Sequence, residues 1–198
     1  MIALSKLPES LAQYGLEHFD ELFALHPSKR GRIFAYGYDM DVSRWHASYL
    51  QTPDRRQWSE EEQQTTNYMF SDTSYDLIKN ELPQPFQSFH QYIGEEYNQV
   101  TINWFQDGKD YIPNHKDCTI GLDRSVPIKV ISLGAERLLS VKLGVKRERI
   151  KLTHGTIVDM DPEIQHGIPK IIDQQCGRRI SISFRKYTSL STGQTDEK

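Results

Sequence analysis

The sequences NWFQDGKDYIPNHKD at residues 103–117 and HGIPKIIDQQCGRRISISFR at residues 166–185 bound the part of the chain that decides its fold. In an extended strand the side chains alternate between two faces, so His115 and Asp117 project to the same side. A third ligand must come from a distant segment, and His166 precedes a run of strand-forming residues. Two imidazoles and one carboxylate on one face of an octahedron are the ligand set of non-haem Fe(II) oxygenases. The spacing therefore predicts an iron site.

A second histidine is an alternative third ligand. His154 lies in the sequence LTHGTIVDM at residues 152–160, where Gly155 follows it between two expected strands. Because glycine marks tight turns, a histidine in this position is expected to pack against the backbone. We therefore predict a structural role for His154 and metal binding by His166.

Two arginines on the last expected strand add a second binding function. Arg179 and Arg185 are six residues apart in RRISISFRK, so an extended strand points both side chains to one face. A guanidinium is a planar fork that binds a carboxylate through two hydrogen bonds. Burying an arginine without a partner would be costly. The pattern predicts a pocket for a dicarboxylate beside the metal.

Length and composition describe an ordinary globular protein. With 198 residues and 37% hydrophobic content, the chain can bury one good core, and we expect one domain and a monomer. No apolar run is long enough to cross a bilayer, and the first residues lack the pattern of a signal peptide. Two cysteines do not make a disulfide framework. We expect a soluble intracellular protein, in the cytoplasm or nucleus, with no membrane partner.

The charge is unevenly distributed. The formal net charge of −3 argues against a protein that coats nucleic acid through bulk electrostatics. Residues 142–151 nevertheless carry five basic side chains against one acidic side chain, and residues 29–56 carry six against three. These two patches either face phosphates or are ordinary solvated surfaces.

The first half of the chain has helical and mixed patterns. Apolar side chains at helical spacing predict a helix at residues 10–25, and short apolar runs predict strands at 32–38 and 45–50. Residues 51–70 are polar and lack a clear period, so they are expected to form a mobile loop over the site. Between residues 72 and 97, two prolines interrupt a helical pattern, which predicts a short helix, a bend and a longer helix.

The second half changes to short segments rich in Val, Ile and Ser. The expected strands are 100–105, 126–132, 137–143, 149–152, 156–160 and 180–184. Many short strands preceded by helices predict an α+β fold with a mainly β core, a double-stranded β-helix or jelly roll. We expect residues 98–187 to form this catalytic core, residues 1–97 to pack on it as N-terminal helices and a lid, and residues 188–198 to form a disordered tail.

The motifs together resemble a known family. NWFQDGKDYIPNHKD, VPIKVISLGAERLLSV, LTHGTIVDM, QHGIPK and RRISISFRK look like the successive core motifs of the AlkB-type 2-oxoglutarate- and Fe(II)-dependent dioxygenases. Motifs in this order over roughly half the chain are more specific than one short pattern. The resemblance implies a jelly-roll core with an N-terminal substrate-recognition lid. It also implies that Fe(II), 2-oxoglutarate and O2 are used, with His115, Asp117 and His166 as the catalytic iron ligands.

The resemblance further implies a set of residues that bind 2-oxoglutarate. Arg179 would hold its distal carboxylate, Asn103 would hydrogen-bond it, and Arg185 would lie near its metal-bound end. Phe105 stands where the family commonly has tyrosine, and Ser181 stands where it often has asparagine. Each lost hydrogen bond would cost about 1 kcal/mol of cosubstrate binding.

Aromatic and basic side chains in the expected lid are candidate substrate contacts. Trp45, Tyr49, Tyr68 and Phe70 are the aromatic candidates, and Arg44 is the candidate for a phosphate or substrate contact. An enzyme that takes a base out of its stack needs aromatic planes and a positive rim. The alternative is that these aromatics only pack the lid onto the core.

Three functions remain open at this point. The first is oxidative demethylation or hydroxylation of alkylated bases in DNA or RNA, as in DNA repair, which the resemblance implies. The second is the same chemistry on a protein side chain or a small molecule, which the acidic net charge favours. The third is a binding module that keeps the fold without turnover, which the complete ligand set and both arginines argue against.

Overall fold

The computed structural model describes residues 1–35, 38–51, 81–117, 119, 122–171 and 176–188, and for residues 32–35 and 38–40 it describes the backbone alone. The helices in this part of the chain are α1 (Glu9–Glu17), α2 (Phe19–Ala24) and α3 (Gln84–Ile93). The strands of the first half are β1 (Ile2–Lys6), β2 (Arg32–Ala35), β3 (Tyr38–Asp41) and β4 (Trp45–Leu50). Those of the second half are β5 (Gln99–Phe105), β6 (Ile112–His115), β7 (Ile128–Gly134), β8 (Arg137–Leu143), β9 (Lys146–Leu152), β10 (Thr156–Met160), β11 (Gln165–Ile168) and β12 (Arg179–Arg185).

Within the described residues, the strands form two larger antiparallel sheets and one hairpin. The large sheet has the order β1-β10-β7-β12-β5-β4, and the small sheet has the order β6-β11-β8-β9. β2 and β3 pair with each other. Neighbouring strands are often distant in sequence, as in β1 beside β10, which is typical of jelly-roll connections. This mainly β, two-sheet architecture agrees with the predicted core.

One face of the large sheet packs on the helices. Ile180, Ile182 and Phe184 occupy alternate positions of β12 and are fully buried in one hydrophobic cluster. Leu22 of α2 and Phe86 of α3 belong to the same cluster. Each such side chain contributes about 1.5–3 kcal/mol by leaving water. The helices therefore cover the outer face of the large sheet.

The opposite face of the large sheet is directed toward the small sheet. Val158 of β10 packs there with Val141 of β8 and Ile168 of β11, in a second hydrophobic cluster. On β12 the positions that alternate with the outer apolar side chains are polar, beginning with Arg179 and Ser181. The space between the sheets is thus apolar at one end and polar at the other, and the polar end contains the candidate site.

Most predicted elements are present with shifted ends. The helix predicted at residues 10–25 is two helices, because α1 ends and α2 begins at His18. β8 and β10 have the predicted ends, whereas β9 begins at Lys146 rather than at residue 149. The sequence pattern does not predict β1 or β11, because both are short and are stabilised by pairing with distant strands.

The large sheet contains strands from both sides of the predicted boundary between residues 97 and 98. β1 and β4 come from the first part of the sequence and form its two outer strands. The predicted loop at 52–70, the helix expected after residue 72 and the tail at 189–198 lie outside the described residues. None of the helices in the described part of the chain is long and apolar enough to span a bilayer.

Candidate functional site

Two histidines lie opposite each other on neighbouring strands of the small sheet. His115 ends β6 and His166 lies in β11, and the two are direct partners in the antiparallel pairing, with ring centroids 4.5 Å apart. The register shifts immediately after His166. A Cβ atom on Gly167 would lie 2.7 Å from the carbonyl oxygen of Ile112. The absence of a side chain at Gly167 therefore lets β11 approach β6 closely.

Each imidazole is oriented by a backbone carbonyl two residues before it. His115 Nδ1 lies 3.0 Å from the oxygen of Pro113, and His166 Nδ1 lies 2.9 Å from the oxygen of Ile164. A ring nitrogen that donates to a carbonyl carries the proton, so the Nε2 atom keeps its lone pair. The two Nε2 atoms lie 4.0 Å and 3.9 Å from the two carboxylate oxygens of Asp117. Both lone pairs are therefore available to one cation.

The carboxylate of Asp117 completes the cluster. One ligand atom from each of His115, Asp117 and His166 lies within 4.8 Å of the others. Arg185 donates from Nη2 to Oδ1 of Asp117 over 2.7 Å. Oδ2 is buried and has no hydrogen-bond partner among the described residues. Because an unsatisfied buried carboxylate oxygen is costly, this atom fits a metal ligand.

The protonation states also suit a divalent metal. Burial lowers the pKa of His115, and the neighbouring His166 lowers it further. Burial by itself raises the pKa of Asp117, but the charge of Arg185, with contributions from the neighbouring His166 and His115, outweighs this, and the pKa lies below its ordinary value. A neutral imidazole and an ionised carboxylate are the metal-binding forms. The donor set fits Fe(II), since two histidines and one carboxylate leave coordination positions open.

The predicted cosubstrate residues line the face of the large sheet that is directed toward this cluster. Asn103 of β5 and Ser132 of β7 are both direct partners of Ser181 on β12. Two residues along the same strands, Phe105 is the direct partner of Arg179. Direct partners in antiparallel strands share a face, so these side chains form neighbouring rows across three strands. The structure thus brings Asn103, Phe105, Arg179, Ser181 and Arg185 to one side of the sheet.

The guanidinium of Arg179 is buried with few partners. The residue is 1% exposed, its Nη2 donates to Ser132 Oγ over 3.0 Å, and its Nε has no hydrogen-bond partner among the described residues. None of the ion pairs between described residues includes it. Burial, with a smaller contribution from Arg137, lowers the pKa of Arg179 to about 9, so it stays charged at neutral pH. A buried cation of this kind suits a carboxylate ligand.

β4 and the residue before it add two basic side chains beside Asn103. His46 is the direct partner of Asn103, and Arg44 donates from Nε to Asn103 Oδ1 over 2.6 Å. Burial and the charge of Arg44 lower the pKa of His46 to about 4, so its imidazole is neutral at neutral pH. Arg44, a predicted substrate contact, therefore lies next to a predicted cosubstrate residue.

Two of the predicted aromatic substrate contacts are on the opposite face of β4, and their role is corrected to core packing. Tyr49 is buried in the hydrophobic cluster beneath the helices. Trp45 stacks on His26 with ring centroids 4.0 Å apart, and the guanidinium carbon of Arg30 lies 4.5 Å from the indole centre. The indole of Trp45 is therefore in contact with side chains of the protein itself. The other two predicted aromatics, Tyr68 and Phe70, lie outside the described residues.

His154 has a structural position, as the sequence predicts. Its Nδ1 accepts a hydrogen bond of 3.0 Å from the backbone N–H of Gly134, and its Nε2 lies 2.8 Å from the carbonyl oxygen of Ala12. The imidazole thus links the end of β7 to α1. It does not belong to the metal-ligand cluster found among the described residues.

Three residues of the site region are absent from the sequence predictions. Ser132 interrupts the apolar run of β7, and His46 lies in a strand with a weak pattern. Arg137 is 2% exposed and donates to the carbonyl oxygens of Asp107, Asp110 and Pro169, over 3.0, 2.8 and 2.8 Å. An isolated polar residue in an apolar strand is the signal that singles out Ser132. The positions of His46 and Arg137 in the site depend on the strand register, which the sequence pattern does not predict.

Comparisons with known proteins match about half of the chain. An uncharacterized protein of Acanthamoeba polyphaga mimivirus is 30% identical over 106 residues, which cover 50% of this chain and 55% of the viral protein. The Mus musculus DNA oxidative demethylase ALKBH2 is 29% identical over 107 residues, covering 47% of this chain and 44% of that protein. The Rattus norvegicus alpha-ketoglutarate-dependent dioxygenase alkB homolog 3 is 28% identical over 107 residues, covering 46% and 36%. The chain therefore spans about half the length, or less, of these relatives.

The fold has a match among solved structures. The structure of OsALKBH1 aligns with a TM-score of 0.52 at 13% identity, over 93% of this chain and 97% of that chain. No protein-family model matches the chain. The chain is AlkB-like: about half of it is similar in sequence to these two dioxygenases, its fold is similar to that of OsALKBH1, and it has a cluster of two histidines and one aspartate.

Proposed function

We propose that the protein is an Fe(II)- and 2-oxoglutarate-dependent dioxygenase that oxidises alkylated bases of nucleic acid. One observation carries the proposal. The ligand atoms of His115, Asp117 and His166 lie within 4.8 Å of one another, and on the facing sheet the buried guanidinium of Arg179 has no carboxylate partner among the described residues. A metal ligand set and a separate carboxylate pocket are what binding of a 2-oxo dicarboxylate to iron requires.

Each residue of the site has a role in this proposal. The Nε2 atoms of His115 and His166 and a carboxylate oxygen of Asp117 would hold the iron. Arg185 would keep Asp117 ionised and oriented through its 2.7 Å hydrogen bond. Arg179 would bind the distal carboxylate of 2-oxoglutarate, because its charge is buried and it can form a two-pronged contact.

Three further residues would line the 2-oxoglutarate pocket. Asn103 and Ser181 offer an amide and a hydroxyl on neighbouring strands, and the ring of Phe105 lies beside the Arg179 guanidinium, 5.8 Å from its central carbon. Iron, O2 and 2-oxoglutarate together supply the hydroxylation of a substrate C–H bond, while the 2-oxo acid is converted to succinate and CO2. The protein's contribution is binding, orientation and exclusion of water from the cleft between the sheets.

Nucleic acid is the proposed substrate because the relatives include a DNA oxidative demethylase. Arg44 lies beside Asn103, where it is suited to an anionic substrate near the cosubstrate. Residues 1–97 would supply the recognition side, including a lid, and residues 98–187 the catalytic core. Hydroxylation of an N-methyl group would release formaldehyde and leave the unmodified base, the chemistry of oxidative demethylation and DNA repair.

A second candidate is the same chemistry on a protein side chain or a small molecule. One structural observation favours it. Trp45 and Tyr49, two of the aromatics expected to stack on bases, pack in the core instead. The net charge of −3 also gives no general attraction for a polyanion.

An assay of succinate formation separates the candidates. The protein is reconstituted anaerobically with Fe(II), then given 2-oxoglutarate, O2 and a panel of methylated single- and double-stranded DNA and RNA oligonucleotides. Succinate formed in step with demethylated base and formaldehyde supports the first function. Succinate formed at the same rate with or without oligonucleotide favours the second. If the iron-loaded wild type forms no more succinate than Asp117→Ala does, oxygenase function is contradicted altogether.

A further inference from the structure

The outer face of the small sheet carries a cluster of basic side chains that the proposed active site does not use. Leu139 and Val141 of β8 are buried between the sheets, so the alternate residues Ser140 and Lys142 face outward. In the pairing of β8 with β9, Ser140 is the partner of Arg149, and Lys142 is the partner of Arg147. Because direct partners share a face, Lys142, Arg147 and Arg149 project together from the outer face of the small sheet.

These three cations lack counter-charges within the protein. All three are exposed, and in the part of the chain that the structure describes no hydrogen bond or ion pair engages their charged ends. Lys151, the next basic residue on the same face of β9, instead pairs with Glu136 at 3.0 Å. Like charges placed directly opposite each other, as in Lys142 and Arg147, destabilise a sheet. An anionic ligand would remove that repulsion.

The cluster borders a groove rather than a flat surface. The groove has a volume of about 470 Å³, and its lining includes Arg147, Arg149, Ser140, Asn114 and Tyr111. In the small sheet Gly167 of β11 lies between Ser140 and Asn114, and it has no side chain to fill the space. The groove therefore combines guanidinium groups with a hydroxyl and an amide that can hydrogen-bond to an anion.

The groove lies behind the metal ligands. Asn114 lines the groove and His115, the next residue of β6, belongs to the metal cluster on the other face. β6 is the edge strand of the small sheet within the described residues. A chain that follows the groove to this edge is thus separated from the metal side by a single strand.

We propose that this groove binds the phosphodiester backbone of a nucleic-acid chain, as an accessory contact outside the active site. Phosphates match the charge and the two-pronged geometry of the arginines, and the groove gives them hydrogen-bond donors that a flat charged surface would lack. The proposal extends the proposed nucleic-acid function. Binding in the groove, however, needs neither iron nor turnover.

Glu148 provides an internal check on the assignment. It also lines the groove, although as the partner of Val141 its side chain leaves β9 on the face opposite to Arg147 and Arg149, and its negative charge disfavours phosphate nearby. Removing this charge should strengthen nucleic-acid binding, whereas it should weaken the binding of a cationic ligand.

The test measures the affinity for a fluorescein-labelled, unmethylated oligothymidylate as a function of salt, without iron or 2-oxoglutarate. Each phosphate contact with a single-stranded chain contributes about −0.7 to the slope of log affinity against log salt. The triple variant Lys142→Gln, Arg147→Gln, Arg149→Gln should therefore reduce the magnitude of the slope by about 2. Over a fourfold rise in salt, the wild type should lose roughly 16-fold more affinity than the variant. Glu148→Gln should bind more tightly than the wild type.

A charge-matched control separates the groove from overall electrostatics. Lys6→Gln, Lys109→Gln, Arg124→Gln changes the net charge equally at exposed positions outside the groove, and its slope should equal that of the wild type. Thermal unfolding should show that the groove variant is at least as stable as the wild type, because the repulsion between Lys142 and Arg147 is removed.

Three results would overturn the proposal. The first is an equal loss of slope in the groove and control variants, and the second is weaker binding by Glu148→Gln. The third is a groove variant that loses binding to phosphatidylserine vesicles but keeps its oligonucleotide affinity, which would assign the surface to a membrane. The slope measurement is independent of the succinate assay. An inactive protein with the predicted slope change would therefore contradict the proposed oxygenase function and leave the groove assignment standing.

Discussion

Arg185 and Asp117 form a hydrogen-bonded ion pair that uses one oxygen of the Asp117 carboxylate and leaves the other oxygen for a metal. Nη2 of Arg185 donates to Oδ1 over 2.7 Å, while Oδ2 is buried without a hydrogen-bond partner among the described residues. The guanidinium fixes the carboxylate plane and keeps it ionised, so Oδ2 is presented toward His166 Nε2, 3.9 Å away. β12 thus positions a ligand that lies two residues after the end of β6 and 68 positions earlier in the chain than Arg185.

Arg185→Gln should weaken metal binding without removing any ligand. Loss of a residue that orients a metal ligand commonly costs about 10- to 100-fold in metal affinity. Anaerobic competition titration of Fe(II), or of Co(II) as a redox-stable probe, against a fluorescent chelator measures the change. Arg185→Lys retains the charge and should recover part of the affinity. Wild-type affinity in Arg185→Gln would show that Asp117 is held by other contacts.

Gly167→Ala should disturb the metal site through the backbone. The added Cβ would lie 2.7 Å from the Ile112 carbonyl oxygen, so β11 must move away from β6 and the two histidines must separate. We expect lower metal occupancy and a loss of about 1–3 kcal/mol in the free energy of unfolding. Gly177→Ala is the matched control, since its nearest contact would be an ordinary 3.6 Å from the Cβ of Ala135. Similar behaviour of the two variants would contradict the close-approach argument.

Arg179→Met should stabilise the ligand-free protein or leave its stability unchanged, while abolishing its response to 2-oxoglutarate. The wild-type guanidinium is buried with an unsatisfied Nε, and a methionine of similar length avoids that cost. Thermal unfolding with Mn(II), in the presence and absence of 2-oxoglutarate, tests both parts. The wild-type melting temperature should rise with the cosubstrate, and that of the variant should not. A normal rise in Arg179→Met would place the distal carboxylate elsewhere.

His46 should make stability depend on pH below neutrality. The pKa of His46 is lowered from 6.5 to about 4 in the folded protein, so between these values the unfolded chain binds the extra proton. Stability is therefore lost as pH falls through this window, by about 3 kcal/mol in total. The free energies of unfolding of the wild type and His46→Asn should converge or cross as pH falls from 6.5 to 4. A constant difference between the two proteins would mean that His46 is protonated in the folded state.

His154→Ala should cost stability but not metal. It leaves the backbone N–H of Gly134 and the carbonyl of Ala12 without the imidazole, which costs about 1–3 kcal/mol. Metal analysis should show normal occupancy in this variant and lower occupancy in His115→Ala, Asp117→Ala and His166→Ala. An equal loss of metal in His154→Ala at a temperature where it remains folded would implicate His154 as a ligand.

The metal ligands and the inward arginines could be predicted because their signals are local. His115 and Asp117 have the spacing of a strand, and Arg179 and Arg185 share one face of a strand for the same reason. The role of Trp45 could not be predicted, because an aromatic side chain is equally suited to stacking on a base and to packing in a core. The strand register decides which side chain faces the core, because it points Trp45 toward the helices and His46 toward Asn103.

The sequence by itself determined the alternation of β12, the residue types of the metal cluster and the small residue at Gly167, since each depends only on chain geometry and side-chain chemistry. Only the tertiary structure decided which histidine meets His115, because that requires β11 to pair with β6 across about 50 residues of intervening chain. It also decided that Lys142, Arg147 and Arg149 share one exposed face. Strand pairing brings distant groups together, and no local pattern encodes which strands will pair.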